Sequence, residues 1–592
     1  MSKIKWAVLL ILIMLTAASV FIYLESADTD KTRTSINTAP GNLFSSLHTD
    51  QTRYNPGDEV RFTLKIQQSN GKLKVSYFHL DEKIGEEEIS AAKTGELSWS
   101  WQPPDEDYKG YLAEVEMVKE DYKQSETIAV DVSSDWSKFP RYGFLSDFGE
   151  IPIEEMEDVI SRLNRYHING LQFYDWHYEH QEPLKMENGS PAGHWQDVAN
   201  REVSFNTIKQ YIDLAHQKNM KAMSYNLLYG SFENRGLPQE WLLFKDPNQT
   251  LIDAHPLPDD WKSNIMIMNP TNPWWQDYII EKHHNVYEHL PFDGWHIDQL
   301  GNRGEVYNEW GDPISISDSF QPFLEKIKQQ LPEKTAVVNA VNQYGQSSIA
   351  SASPAFLYTE VWDEYKYYAD LKKILDENAS LSSRFQSSVL AAYMNYDHSN
   401  QTGEFNEAGI LLTNSVIFAN GGAHLELGEH MLSKEYFPHN QLSLSGKLKR
   451  KLIRYYDFLT AYENLLRDHV SSSSIDITSL DEMPLSKDEP KQGQVWVLAK
   501  QAENRKVVHF INFLEATSME WRDTNASQPL PSKRSSLRFQ IKNERNIVKL
   551  WFTTPDYPSI KPISIPFKRA GDTITFTLPS LTYWDMLVIE YK

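Results

Sequence analysis

Between residues 142 and 427 the sequence switches eight times between a short apolar run and a longer polar or amphipathic segment, and this rhythm constrains the fold more than any other feature. The apolar runs cover residues 142–148, 170–176, 221–229, 294–300, 335–342, 356–362, 387–396 and 423–427. Among the intervening segments, 153–166, 205–218, 274–290 and 320–331 carry apolar residues at helical spacing. Eight strand-helix units over this length predict a (β/α)8 TIM barrel spanning residues 136–465. A doubly wound sheet is the alternative, but no glycine-rich phosphate loop follows the first run.

Strand patterns of another kind flank this unit. Residues 60–66 alternate after an Asn55-Pro56-Gly57-Asp58 turn, and 73–78, 111–117 and 127–132 follow at sandwich-like spacing, so residues 43–135 predict an immunoglobulin-like β-sandwich. Beyond a run of serines at 471–474 and a charged stretch at 481–493, runs at 495–499, 507–513, 546–552, 573–578 and 586–591 predict a C-terminal antiparallel β-domain over 466–592. At the amino terminus, Lys3 and Lys5 precede 19 uninterrupted, mostly apolar residues, 6–24. Residues 1–27 therefore read as a signal peptide or membrane anchor, and 28–42 as a polar linker. The remainder is expected outside the cell, secreted or held at the outer face of its membrane.

Composition excludes several function classes. The 81 acidic and 58 basic residues leave a net charge of −23, which repels phosphate backbones, so nucleic acid is not an expected partner. With no cysteine there is no disulfide, thiol nucleophile or Cys-ligated zinc. The 17 Trp, 30 Tyr and 26 Phe fill cores and also suit stacking against sugars. The chain is expected to work as a monomer and without a cofactor.

In a TIM barrel the carboxyl ends of the strands form the active site. Here those ends are polar. They offer Asp147, Asp175 and His177, Tyr225 and Asn226, His296 and Asp298, Asn339, Glu360 and Trp362, Asn395, and Glu426. Two carboxylates on separate strands among aromatics and amides are what glycoside hydrolysis needs: an ionised acid at the anomeric carbon and a protonated acid for the leaving oxygen. Asp298, the shorter and more readily ionised side chain, is assigned as nucleophile, and Glu360, beside Trp362, as acid/base. His177 and His180 lack a third ligand nearby, so no metal site is expected. His283 and His284, in a charged helical segment, are expected on a solvated face.

Arg141-Tyr142-Gly143-Phe144-Leu145-Ser146-Asp147-Phe148, Gln172-Phe173-Tyr174-Asp175-Trp176-His177, Gly294-Trp295-His296-Ile297-Asp298-Gln299-Leu300-Gly301 and Tyr358-Thr359-Glu360-Val361-Trp362 resemble glycoside hydrolase family 66, the family of endo-dextranases and cycloisomaltooligosaccharide glucanotransferases. The resemblance implies a retaining double displacement with Asp298 as nucleophile and Glu360 as acid/base. It also implies that Asp147 and Asp175 belong to a sugar-binding floor. The remaining strand-end residues, His177, Tyr225, Asn226, His296, Asn339, Trp362, Asn395 and Glu426, are taken as candidate binders of an α-1,6-glucan. The cyclising members carry a carbohydrate-binding module inserted near the seventh strand, and the short span between Asp397 and Ala423 leaves no room for one. The expected activity is therefore endo-hydrolysis of dextran to isomaltooligosaccharides. Cyclising transglycosylation and a non-catalytic glucan-binding role are the alternatives.

Overall fold

The computed structural model describes residues 42–69, 71–119, 122–382, 386–542 and 546–592. Eight parallel strands form one sheet in chain order: Tyr142–Leu145, Gly170–Phe173, Lys221–Leu227, Gly294–Asp298, Thr335–Asn339, Leu357–Glu360, Ser388–Ala391 and Gly422–His424. The sheet curls until its ends meet. The Phe144 N–H donates to the carbonyl of Leu427 at 3.1 Å, and Phe144 forms a parallel bridge with Gly428. This is the barrel that the alternation predicted. Each strand starts within a residue of its predicted start and stops a few residues short of its predicted end, because the polar residues there leave the sheet to build the mouth.

Helices cover the outside of the barrel. In Ile153–Arg165 the buried residues Met156, Ile160 and Leu163 form one stripe, with Glu154 and Glu155 in the first turn and Arg162 and Arg165 in the last, as the helix dipole favours. The side chains of Ser204, Asn272 and Asn406 cap Phe205–Gln217, Pro273–His289 and Glu407–Ala419. The last of these is buried on every side, since chain from the C-terminal region packs on its outer face and Thr413 Oγ1 donates to the Trp521 carbonyl at 3.0 Å.

The N-terminal sandwich has a three-stranded sheet (Phe44–Thr49, Val60–Ile66, Gly95–Trp101) and a four-stranded one (Glu82–Ala91, Gly71–His79, Lys109–Lys119, Tyr122–Val132). Three of its strands, Phe44–Thr49, Glu82–Ala91 and Gly95–Trp101, were not predicted from sequence. Glu82–Ala91 is an edge strand of exposed charges, with no apolar alternation to read. The C-terminal region holds a seven-stranded and a four-stranded sheet. It is not purely antiparallel, because Leu485–Ser486 runs parallel to Val495–Trp496. Phe44–Lys592 is one compact unit. Residues 1–41, with the apolar segment 6–24 and nearly all of the linker, lie outside the described residues. Among the described residues no helix is long and apolar enough to cross a membrane.

Candidate active site

Three neighbouring strands end on three polar side chains. Asp298 is the last residue of the fourth strand, Asn339 of the fifth and Glu360 of the sixth. Parallel register sets them side by side: Ile297 pairs with Val338, and Asn339 with Tyr358. Asn339 Nδ2 then donates one N–H to Asp298 Oδ1 at 2.7 Å and the other to Glu360 Oε2 at 3.0 Å. Its own Oδ1 accepts from the Glu360 backbone N–H at 3.3 Å. One uncharged amide therefore clamps two carboxyl groups.

Further donors hold both acids. Tyr225 donates to Asp298 Oδ2 at 2.7 Å, the Gln299 N–H to Asp298 Oδ1 at 2.8 Å, and Tyr393 to Glu360 Oε1 at 2.5 Å. Both acids are half-buried and open on a cavity of about 790 Å³ at the barrel mouth, a volume typical of a small-ligand site. Burial raises each above its own ordinary value. For Asp298 the bonds from Tyr225, Asn339 and the Gln299 N–H oppose it. Glu360 rises to about 7 through burial and then through the charge of Asp298, with Tyr393, Asn339 and Trp362 pulling back. Asp298 is thus the first to ionise and Glu360 the one that keeps its proton.

The sequence model of glycosyl hydrolase family 66 matches residues 49–588. The chain belongs to this family. A cycloisomaltooligosaccharide glucanotransferase of Niallia circulans is 26% identical to this chain over 92% of its residues and 71% of that protein. A dextranase of Streptococcus salivarius is 25% identical, over 79% of this chain and 65% of that protein. The crystal structure of a cycloisomaltooligosaccharide glucanotransferase of Paenibacillus sp. complexed with cycloisomaltoheptaose superimposes with a TM-score of 0.86, at 26% identity, over 92% of this chain and 99% of that one.

In this family 66 chain, seven of the residues singled out from sequence line the cavity: Asp298, Glu360, Asp175, Tyr225, His296, Asn339 and Trp362. Asp175 is 4% exposed and sits at φ 53°, in the left-handed region. Burial pushes its carboxyl up to about 8; Arg201 opposes this, while Asp197 and Asp298 add to it. His296 is stacked against Tyr142 and Tyr225, and its Nδ1 meets the Tyr142 hydroxyl at 3.1 Å. Burial lowers it to about 3, so it is a neutral imidazole beneath the acids.

Five others are not brought to the cavity. Asp147 is exposed and accepts from the Gly149 N–H at 3.2 Å. His177 is fully buried against His180, with a ring separation of 4.5 Å, and neither of its ring nitrogens has a hydrogen-bond partner. Asn226 is spent in the wall, accepting from His180 Nδ1 at 2.9 Å and donating to His283 Nε2 at 3.3 Å. Asn395 turns at φ 54° and donates to the Asp523 carbonyl at 2.8 Å. Glu426 lies behind the eighth strand, accepting from Asn414 at 2.7 Å and Tyr456 at 3.0 Å. His283 is not on a solvated face. It is buried and stacked 3.6 Å from Trp295, whereas His284 is exposed as expected.

Sequence reasoning overlooked Tyr393, which lies just past the end of the seventh strand and whose hydroxyl reaches Glu360. It also overlooked Trp261 and Tyr436, whose rings meet at 5.2 Å across the cavity rim. Both come from loops, where no periodicity marks them.

Proposed function

We propose that this chain is a retaining endo-hydrolase of α-1,6-glucans such as dextran, acting outside the cell after export directed by residues 6–24. The observation that carries this is the shared amide. Asp298 Oδ1 and Glu360 Oε2 are no farther apart than the two Asn339 bonds laid end to end, 2.7 and 3.0 Å. That is short of the ~6.5 to 9.5 Å that an inverting pair needs for an intervening water, and it suits the ~5 to 5.5 Å of a retaining pair.

Asp298, ionised first, attacks the anomeric carbon as the bond to O6 of the next sugar breaks. Glu360 gives its proton to that O6, so the leaving chain departs as a neutral alcohol. Glu360, now a carboxylate, takes a proton from water, and the water oxygen displaces Asp298 from the glycosyl ester. Tyr225 and Asn339 hold the nucleophile in place through both steps, and the neutral His296 adds no charge to compete with the pair.

The second reading, transfer to a sugar hydroxyl with cyclic product, is favoured by the likeness to two glucanotransferases at 26% identity. Hydrolysis is preferred because the seventh-to-eighth strand connection holds a single 3-10 turn, the two-residue strand Gly403–Glu404 and helix Glu407–Ala419, with no inserted module. The alignment to the Niallia glucanotransferase runs over 709 positions yet uses only 92% of this chain, so well over a hundred positions of that relative face no residue here.

Digestion of dextran, with mass analysis of the products, separates the two readings. Linear isomaltooligosaccharides are expected, and a majority of cyclic products, each one water lighter, overturns hydrolysis. NMR of the first-formed anomer is expected to show retention, and a β-anomer overturns the double displacement.

A further inference from the structure

Strands Arg505–Asn512 and Arg534–Lys542 of the C-terminal region are joined by an extended connection, residues 513–533. Structureless connections longer than about 12 to 15 residues are uncommon in compact domains and usually do something. This one does not run over its own sheets. It is threaded into the barrel mouth between the loops that follow the sixth and seventh strands. On one side the Tyr368 N–H donates to the Met519 carbonyl at 3.0 Å and Trp521 Nε1 to the Tyr365 carbonyl at 2.6 Å. On the other, the Asn395 N–H donates to the Arg522 carbonyl at 2.9 Å and the His398 N–H to the Thr524 carbonyl at 2.9 Å.

Arg522 is what this clamp delivers. Its side chain is only 12% exposed, and its guanidinium lies 5.6 Å from the centre of the Trp362 ring, 5.2 Å from Tyr396 and 4.9 Å from Trp521. Its Nη2 donates to the carbonyl of Val361, the residue between Glu360 and Trp362, at 3.3 Å. The salt bridge to Asp363 is to a carboxylate that is 92% exposed and adds little. A planar cation both stacks on an indole and hydrogen-bonds in its own plane, which lysine cannot do. Resting on the assignment of Glu360 as acid/base, we propose that Arg522 is a positioning residue for it: through Trp362 and the Val361 carbonyl, the C-terminal region fixes the segment that aims the proton donor at the leaving oxygen.

The test uses leaving groups. A glucan linkage needs a proton on departure, whereas a glycosyl fluoride releases fluoride unaided. In the full chain, Arg522→Met and Arg522→Lys are expected to lower kcat on dextran about ten- to hundredfold, part of the ~10²–10⁴ that general acid–base catalysis supplies. KM should stay within about twofold. Fluoride release from α-isomaltotriosyl fluoride, with azide as external nucleophile, should stay within about threefold of wild type. Equal losses on both substrates, or no loss on dextran, overturn the proposal, and thermal melts show whether an equal loss is a folding defect. Glu360→Gln is the control for the underlying assignment. It should lose dextran cleavage and keep azide-supported fluoride release; if it loses both alike, the role of Glu360 fails, whatever Arg522 does.

Discussion

Two pairs of neighbouring acids in this molecule are handled in opposite ways. Asp131 and Glu463 lie where the sandwich, the barrel and the helix Glu463–Leu466 meet, with Arg141 between them; all three side chains are 0% exposed. Arg141 Nη2 meets Asp131 at 2.5 Å and its Nη1 meets Glu463 at 3.3 Å, with the Arg467 charge also nearby. Asp298 and Glu360 have no guanidinium between them, only the Asn339 amide, and they open on a cavity. The arginine ties both acids into a joint between parts of the fold, while burial and the Asp131 charge raise Glu463 well above the ordinary carboxylate range. A neutral amide holds two acids together without cancelling either, so their protons must be apportioned between them. The first arrangement spends charge on structure and the second keeps it for chemistry.

Opposite outcomes are expected when the two pairs are broken. Asp298→Asn should lower dextran cleavage by about 10⁴-fold or more, and Glu360→Gln by about 10²- to 10⁴-fold, measured as reducing-end release. Neither should lower the melting temperature. The proton affinity of Glu360 is raised on folding from its ordinary 4.5 to about 7, so the folded state holds that proton more tightly and stability falls as pH rises through this window. Glu360→Gln removes the loss, and its melting temperature relative to wild type should climb from pH 4.5 to 7. A flat difference across that range contradicts the raised affinity.

Arg141→Ala removes the guanidinium shared by two buried acids, leaving Asp131 the Ser133 hydroxyl and Glu463 the nearby Arg467 charge, and should cost about 3 to 5 kcal/mol of stability by chemical denaturation. The turnover of the molecules that remain folded should be unchanged. A loss of turnover with stability intact would reverse the contrast between the two clusters.

The amide itself is next in size. Asn339→Ala deletes the side-chain hydrogen bond to each acid and the one from the Glu360 N–H, and should lower kcat about 10²-fold, the low end of the effect of losing one preorganised donor. Retention of more than about a third of the activity would show that the strands alone set the pair. Leu would be a poorer test, since its bulk would push the two carboxyl groups apart.

How much of this was legible in the chain follows from where each signal resides. The barrel strands, and Asp298 and Glu360 at their tips, were readable because a buried parallel strand is coded locally, by an apolar run closed by a polar residue. Asn395 and Glu426 carried the same signature and ended elsewhere. The seventh strand stops at Ala391 and the eighth at His424, so alternation counted beyond those points no longer described a strand. Asn226 sits inside its strand but bonds to His180 and His283, a partnership between segments far apart in sequence. Trp261, Tyr436 and Arg522 lie on loops, where position depends on tertiary packing rather than on any repeat.

The smallest effect probes the site most finely. Tyr393 donates a 2.5 Å hydrogen bond to Glu360, which favours the ionised form and so holds its proton affinity down. Tyr393→Phe keeps the ring and deletes the donor, so the Glu360 pKa should rise from about 7 by several tenths of a unit to about one. In the proposed mechanism Glu360 is the acid in its protonated form, so activity is expected to fall as pH rises through that value. The basic limb of kcat/KM should therefore move to higher pH, while the acid limb, set by ionisation of Asp298, stays in place. A shift toward lower pH would mean that Glu360 is not the proton donor. A shift of both limbs together would mean that the phenol acts on the pair as a whole through the Asn339 amide.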